Sequence, residues 1–223
     1  MITQNTRIVQ CKGKAFNTKN KMGKGFETQN IMSDLEGYLT PIQINRVLAN
    51  VQIERNRMLI LFGWRSGRRI SEILNVRKKD INFDRGVIKF RILKKRKNKD
   101  YYKLKPIDSG MMRELKIYTS KFGDDDFIFK GYNEQLSRRQ AYNIIREACE
   151  GVNIYNVGTK PPHPHHLRHS FAVNFLRRCK NPTIAIKILQ EILEHTDLKT
   201  TSFYLQFSQE DIKKELENVF AEE

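Results

Sequence analysis

The apolar positions of this chain fall into blocks with helical spacing, broken once by a short tract of alternating character. Thr40-Pro41-Ile42-Gln43 reads as a helix start. Threonine can cap the first backbone N–H groups, proline suits the first helical position, and a glutamine three residues after the cap completes a reciprocal capping box. Ile44, Val47 and Leu48 then share one face. Further helices are predicted over Glu54–Gly63 and over Ile70–Val76, the second with Ile70, Ile73 and Leu74 at helical spacing. The tract Asp80–Ile88 predicts a strand, a tight turn at Asp84–Gly86 and a second strand running to about Leu93; a third strand near Tyr101–Pro106 follows a basic turn over Lys94–Lys99. Helices resume with one capped at Ser109, one opening at Ser137, one over about Arg168–Arg177, one over about Thr183–Leu193, and a last one from Ser208 to about Phe220. Ile212, Leu216, Val219 and Phe220 line one side of that last helix. The sum predicts an α+β domain, mainly α-helical, with a small three-stranded antiparallel sheet on one side and no internal repeat.

Charge changes the picture next. The chain has 223 residues with 41 Lys+Arg against 25 Asp+Glu, a formal charge of +16 and a sequence pI near 9.8, which predicts a polyanionic partner. Nucleic acid fits better than a membrane surface, because the basic residues run along the whole chain and no apolar stretch approaches the roughly 20 residues needed to span a bilayer. Residues 1–39 read as a flexible basic arm, Lys12, Lys14, Lys19, Lys21 and Lys24 alternating with Gly13, Gly23 and Gly25. A backbone-binding role on DNA and a solvated tail with no specific role are equally open for it. Residues 40–223 then form the main domain. The N-terminus has no apolar signal segment, which predicts a cytoplasmic protein of a prokaryotic or virus-infected cell. Cys11, Cys149 and Cys179 are odd in number and far apart, so they read as reduced structural thiols.

Three segments carry candidate chemistry. Displacing one oxygen of a phosphodiester requires cations on the non-bridging oxygens, an oriented nucleophile and an acid for the departing oxygen. Arginine supplies the first, since its planar fork stays charged and matches phosphate geometry. Tyrosine can supply the second if its hydroxyl, ordinarily of pKa roughly 10, is activated by its surroundings. The segments are Ser66-Gly67-Arg68-Arg69-Ile70-Ser71-Glu72-Ile73-Leu74, then Pro164-His165-His166-Leu167-Arg168-His169-Ser170, then Leu193-Glu194-His195 running on to Ser202-Phe203-Tyr204. Their order, an arginine early, H-x-x-R later, and a histidine nine residues ahead of a tyrosine, resembles the tyrosine recombinase (phage integrase) family. The resemblance covers about residues 40–220.

That resemblance implies a site-specific DNA recombinase working through a 3′-phosphotyrosine link, with no metal, no cofactor and no ATP. It implies that Arg69 and Arg168 hold the scissile phosphate, that His165 orients or moves a proton, that His195 donates a further hydrogen bond, and that Tyr204 attacks. Glu72 matches the acidic position that supports the first arginine. A lysine in the turn between the second and third strands would be the general acid; Lys97 is the favoured choice and Lys95 the alternative, with Lys94, Arg96 and Lys99 as DNA contacts. The partner implied is double-stranded DNA, bound by a homotetramer joined through the C-terminal helix at about residues 208–220. Two departures from the family pattern are visible: Glu194 stands where relatives usually carry glycine, and no complete N-terminal core-binding domain precedes Thr40.

Blander readings stand beside these. A metal cluster of His163, His165, His166 and His169 is disfavoured, because His163 and His165 flank a proline in what reads as a loop and no carboxylate or cysteine completes a ligand set. His169 reads as a buried structural histidine. Tyr101, Tyr102, Tyr142 and Tyr155 read as packing residues. The rival functions are a DNA-binding regulator with a vestigial recombinase site and a type IB topoisomerase-like nicking and closing enzyme.

Overall fold

The structure, a computed structural model, describes residues 37–92, 101–132, 134–179 and 182–193. Within them the order is α1 (Pro41–Asn50), α2 (Glu54–Ser66), α3 (Ile70–Leu74), β1 (Ile81–Asn82), β2 (Val87–Ile92), β3 (Tyr101–Pro106), α4 (Ser109–Thr119), α5 (Arg138–Glu150), α6 (Pro164–Arg178) and α7 (Pro182–Leu193). The mainly helical α+β architecture predicted from the sequence is the one observed. The strands form a single antiparallel sheet in the order β1-β2-β3, with Ile88 opposite both Ile81 and Lys105. Gly86, at φ +63°, supplies the left-handed residue of the β1–β2 turn.

Helix starts follow local chemistry. At α1 the Thr40 hydroxyl accepts from Gln43 N at 3.2 Å, and the Gln43 side-chain Oε1 accepts from Thr40 N at 2.9 Å; Ser137 and Gln140 repeat the device at α5. Helix α4 is capped by Asp108, not Ser109: the carboxylate accepts from Met111 N at 3.0 Å and Ser109 becomes the first helical residue. Helix α6 starts at Pro164, four residues ahead of the predicted Arg168. Proline sets the φ of a first helical residue, and His166 Nδ1 accepts the N–H of the extended His163 at 3.2 Å. His165 therefore lies on the first turn of a helix, not in a loop. Helix α2 runs three residues past Gly63, the Ser66 hydroxyl donating to Phe62 O at 2.6 Å before the chain turns at Gly67.

The core lies between the helices and the inner face of the sheet. Ile88, Phe90 and Ile92 alternate inward from β2, and Phe62 sits between Phe90 and Phe129 with ring centroids 6.3 and 6.2 Å away. A smaller apolar cluster of Ala172, Leu189 and Leu193, flanked by Phe171 and Phe175, joins α6 to α7. Packing begins ahead of the predicted boundary at Thr40: Tyr38 and Leu39 are buried, and Leu39 N donates to Ser170 Oγ at 2.7 Å. The four tyrosines read as packing residues are instead exposed. Tyr102 lies under the Lys89 ammonium at 4.5 Å, Tyr101 neighbours Lys103, and Tyr142 and Tyr155 face solvent. Residues 1–36, the basic turn, Cys11 and the C-terminal helix lie outside the described residues.

Helices α2 and α6 approach closely along Gly63 and Gly67. A Cβ at Gly63 would stand 3.0 Å from Leu167, and one at Gly67 would stand 2.3 Å from the Phe171 ring, at a residue whose φ is +61°. Gly67→Ala therefore combines left-handed strain with overpacking and is expected to cost about 2–4 kcal/mol. Denaturant titration checks this. Adding Phe171→Ala should recover the clash part of the loss and leave the backbone part.

Candidate active site

The turn after α2 builds the first half of the site. Gly67 ends the helix in the left-handed conformation, and Arg69 becomes the extended N-cap residue of α3. Glu72, buried on the first turn of α3, closes that cap: its Oε2 accepts from Arg69 N at 3.2 Å and its Oε1 accepts from the Arg69 guanidinium at 3.1 Å. The same carboxylate accepts from Arg68 Nε at 2.9 Å. One buried carboxylate thus orients two adjacent arginines, leaving the Arg69 side chain 45% exposed while Arg68 is 2% exposed.

The second half comes from α6. His165 and Arg168 are three residues apart in a helix and so share a face. Arg168 is buried; its Nη1 donates to Gly67 O at 2.8 Å and its Nη2 to Leu193 O at 2.6 Å. The Arg168 fork is therefore bonded to the backbone two residues ahead of Arg69. Partial burial, and then the charges of Arg168, His163, Arg69 and Lys160, hold His165 below the ordinary imidazole range. His165 is thus neutral at pH 7, next to both arginines. His166 is a different case. It is buried, its Nδ1 must stay unprotonated to accept from His163 N, and burial with the neighbouring histidines and Lys160 depresses its pKa to about 3. His169 is half-buried against the Tyr38 ring, in keeping with a structural role.

Four of the residues predicted from the sequence, Arg69, Glu72, His165 and Arg168, converge. Lys94, Lys95, Arg96, Lys97, Lys99, His195 and Tyr204 lie outside the described residues. Among those described, no group of His, Cys, Asp and Glu has the makings of a metal site. Sequence reasoning missed Arg68, Lys105 and Lys160. The first pairs with Glu72 at four-residue spacing, a signal present in the sequence. Arg146, Lys160 and His163 line a shallow cleft of about 330 Å³, and the His163 ring lies 6.5 Å from that of His165. Cations around a neutral imidazole can bind a tetrahedral anion through its non-bridging oxygens and exchange a proton beside it.

A model of the phage integrase family matches residues 37–211. Tyrosine recombinase XerA of Pyrococcus furiosus is 28% identical over 209 residues, covering 91% of this chain and 68% of that protein. The fold is similar to the crystal structure of XerA recombinase, at 21% identity and a TM-score of 0.63 over 82% of this chain and 63% of that one. It is also similar to XerH site-specific recombinase bound to its difH substrate in a pre-cleavage complex, at 20% identity and a TM-score of 0.61 over 81% of this chain and 53% of that one. The chain spans between half and about two thirds of the length of these proteins.

The two arginines on Glu72 differ in burial, so breaking the pairs should cost very different amounts of stability. Glu72→Ala strands the buried Arg68 charge and should cost about 3–5 kcal/mol, whereas Arg69→Ala removes a half-exposed pair and should cost under about 1 kcal/mol; paired denaturant titrations read both.

His166 gives a pH dependence whose sign is fixed. Its folded pKa, about 3, lies below the unfolded value of 6.5, so below pH 6.5 the unfolded chain takes up a proton that the folded chain refuses. That stability is present above pH 6.5 and falls by up to about 1.4 kcal/mol per pH unit on acidification. Unfolding free energies measured between pH 7.5 and 5, before most carboxylates titrate, should show this slope, and His166→Gln should flatten it.

Proposed function

The chain belongs to the phage integrase family, and on that premise we propose that it is a site-specific DNA recombinase that cleaves and rejoins DNA through a 3′-phosphotyrosine link, without metal or ATP. The observation that supports this reading most is the meeting of the α2–α3 turn with α6: Arg168 bonded to Gly67 O, Arg69 two residues on, and His165 held below the ordinary imidazole range by burial and then by charges that include both arginines. In the proposed reaction Arg69 and Arg168 hold the non-bridging oxygens, where negative charge grows as the pentacoordinate phosphorus forms. The Gly67 and Leu193 carbonyls and the Glu72 carboxylate keep both forks oriented before DNA arrives.

Tyr204 is the proposed nucleophile. Its oxygen bonds to phosphorus as the P–O5′ bond breaks, its phenolic proton passes toward neutral His165, and the departing 5′ oxygen takes a proton from Lys97, or from Lys95 in the alternative register. His195 adds a hydrogen bond to the phosphate, and Lys94, Arg96 and Lys99 contact the backbone. Because one phosphodiester bond replaces another, the tyrosyl ester stores what religation requires. Double-stranded DNA is the proposed partner, as XerH is seen with its difH substrate. We assign the exchange to a homotetramer joined through the C-terminal helix, in the cytoplasm of a prokaryotic or virus-infected cell. No helix among the described residues is long and apolar enough to cross a membrane.

A nicked suicide duplex carrying the target site, followed by a denaturing gel, tests the reading. Wild type should become covalently attached to the DNA and Tyr204→Phe should not, while Arg69→Ala and Arg168→Ala should slow attachment by 100-fold or more at unchanged DNA concentration. No adduct from wild type means a binding protein with a vestigial site. Adducts without hybrid products from two labelled sites mean a nicking and closing enzyme.

A further inference from the structure

The last three carbonyls of α7 are each held by a different buried cation. Lys105 Nζ, on β3, donates to Glu191 O at 2.8 Å and to the Glu191 carboxylate at 3.0 Å; Arg68 Nη1 donates to Ile192 O at 2.6 Å; Arg168 Nη2 donates to Leu193 O at 2.6 Å. A helix leaves its final carbonyls without intrahelical partners and carries partial negative charge at that end, so cations are favourable there. Helix α7 has no basic residue in its own last turn. All three cations come from elsewhere: the sheet, the α2–α3 turn and α6.

Burying these charges is costly unless each is closely engaged. Lys105, only 7% exposed, lies on the inner face of an edge strand opposite fully buried Ile88, where an apolar side chain would ordinarily pack. Arg68 is engaged on three sides, by Glu72, by Ile192 O and by the Phe90 ring, 5.1 Å from its guanidinium carbon. Glu72 then links the grip to Arg69, because Oε2 takes Arg68 Nε and Arg69 N while Oε1 takes the Arg69 guanidinium. The end of α7 and the exposed arginine are registered to each other through one carboxylate.

We propose that Arg68 and Lys105 are positioning residues for DNA cleavage, acting through the end of α7 on His195, an inference that rests on the recombinase reading above. The chain arithmetic selects His195 over Tyr204. Two Cα steps of 3.8 Å place His195 within about 7.6 Å of Leu193, whereas eleven steps allow Tyr204 a range of tens of ångströms. Holding Leu193 therefore fixes the backbone two residues ahead of His195. A misplacement of about 1 Å at a catalytic group can cost about 100-fold in rate, and three cations on consecutive carbonyls restrain the backbone from which His195 follows.

The test is single-turnover phosphotyrosine formation by the full chain on the suicide duplex, at saturating DNA and scaled to the folded fraction. Arg68→Gln and Lys105→Met should each slow cleavage by at least tenfold with the DNA Kd changed less than twofold, and Arg68→Lys and Lys105→Arg should restore part of the rate. In a His195→Ala background the Arg68→Gln and Lys105→Met effects should shrink to under twofold, because the group they position is gone. Cleavage by folded Arg68→Gln and Lys105→Met at the wild-type rate, or full slowing that persists without His195, overturns the proposal. If Arg68→Gln does not fold, Lys105→Met, at the sheet edge, decides alone by the same two criteria. Absence of any wild-type adduct defeats the recombinase reading and this inference with it, whereas a wild-type adduct with unaffected variants defeats only the inference.

Discussion

Helices α2 and α6 can bring their backbones together only because α2 has no side chain at Gly63 and Gly67, one helical turn apart, where Leu167 and Phe171 of α6 fill the space. The contact fixes more than packing. It places the Gly67 carbonyl within 2.8 Å of Arg168 Nη1, and the left-handed turn at Gly67 swings the chain so that Arg69 begins α3 instead of continuing α2. Cations from regions of sequence about 100 residues apart thereby share one surface. Without the glycine notch, α6 would sit further out and its arginine would lose the carbonyl that holds its plane.

The electrostatic cost of that arrangement is met by hydrogen-bond geometry more than by neutralisation. Arg68, Arg168 and Lys105 are all buried; Arg68 meets the buried Glu72 carboxylate, whereas Lys105 meets the Glu191 carboxylate, which is largely exposed. Backbone carbonyls at Gly67, Glu191, Ile192 and Leu193 supply the remaining acceptors. Carbonyl dipoles satisfy N–H donors without cancelling charge. A structural core would gain stability from replacing such cations with apolar side chains. Retaining them fits the anion site proposed above.

How much of this could be read from the chain alone depends on the range of the interaction. Capping boxes at Thr40 and Ser137, and the strand pair around Gly86, depend on neighbours three or four residues away and were legible. Arg69, Glu72, His165 and Arg168 stand out in the sequence through the resemblance of their motifs to the tyrosine recombinase family, and the structure brings the segments that carry them together. The sequence places the start of α6 four residues late because a proline between two histidines reads as a loop, whereas His163 at the cap position, with the His166 ring three residues on, makes Pro164 the first helical residue. Lys105 was missed for a different reason. Alternation along β3 offers Leu104 for the interior, but Leu104 is 63% exposed and Lys105 points inward, a choice fixed by the end of a helix 86 residues away. Local pattern does not carry that information.

Two histidines adjacent in sequence show how the same helix turn separates structure from chemistry. His166 has its Nδ1 committed to a backbone N–H, so protonation would break a cap bond as well as bury a charge, and its proton affinity is far too low for use near neutral pH. His165 keeps an exposed edge and is held neutral by partial burial and by the cations around it, above all Arg168. The part of that suppression that comes from Arg168 and Arg69, after the larger part from burial, depends on those charges being uncompensated. A phosphate held between Arg69 and Arg168 would offset those two charges at the imidazole, and His165 would become more basic when a substrate is in place to deliver a proton. In the proposed reaction the charges that hold the phosphate would thus also lower the basicity of His165 before the phosphate binds, which would couple occupancy to proton transfer without any moving part.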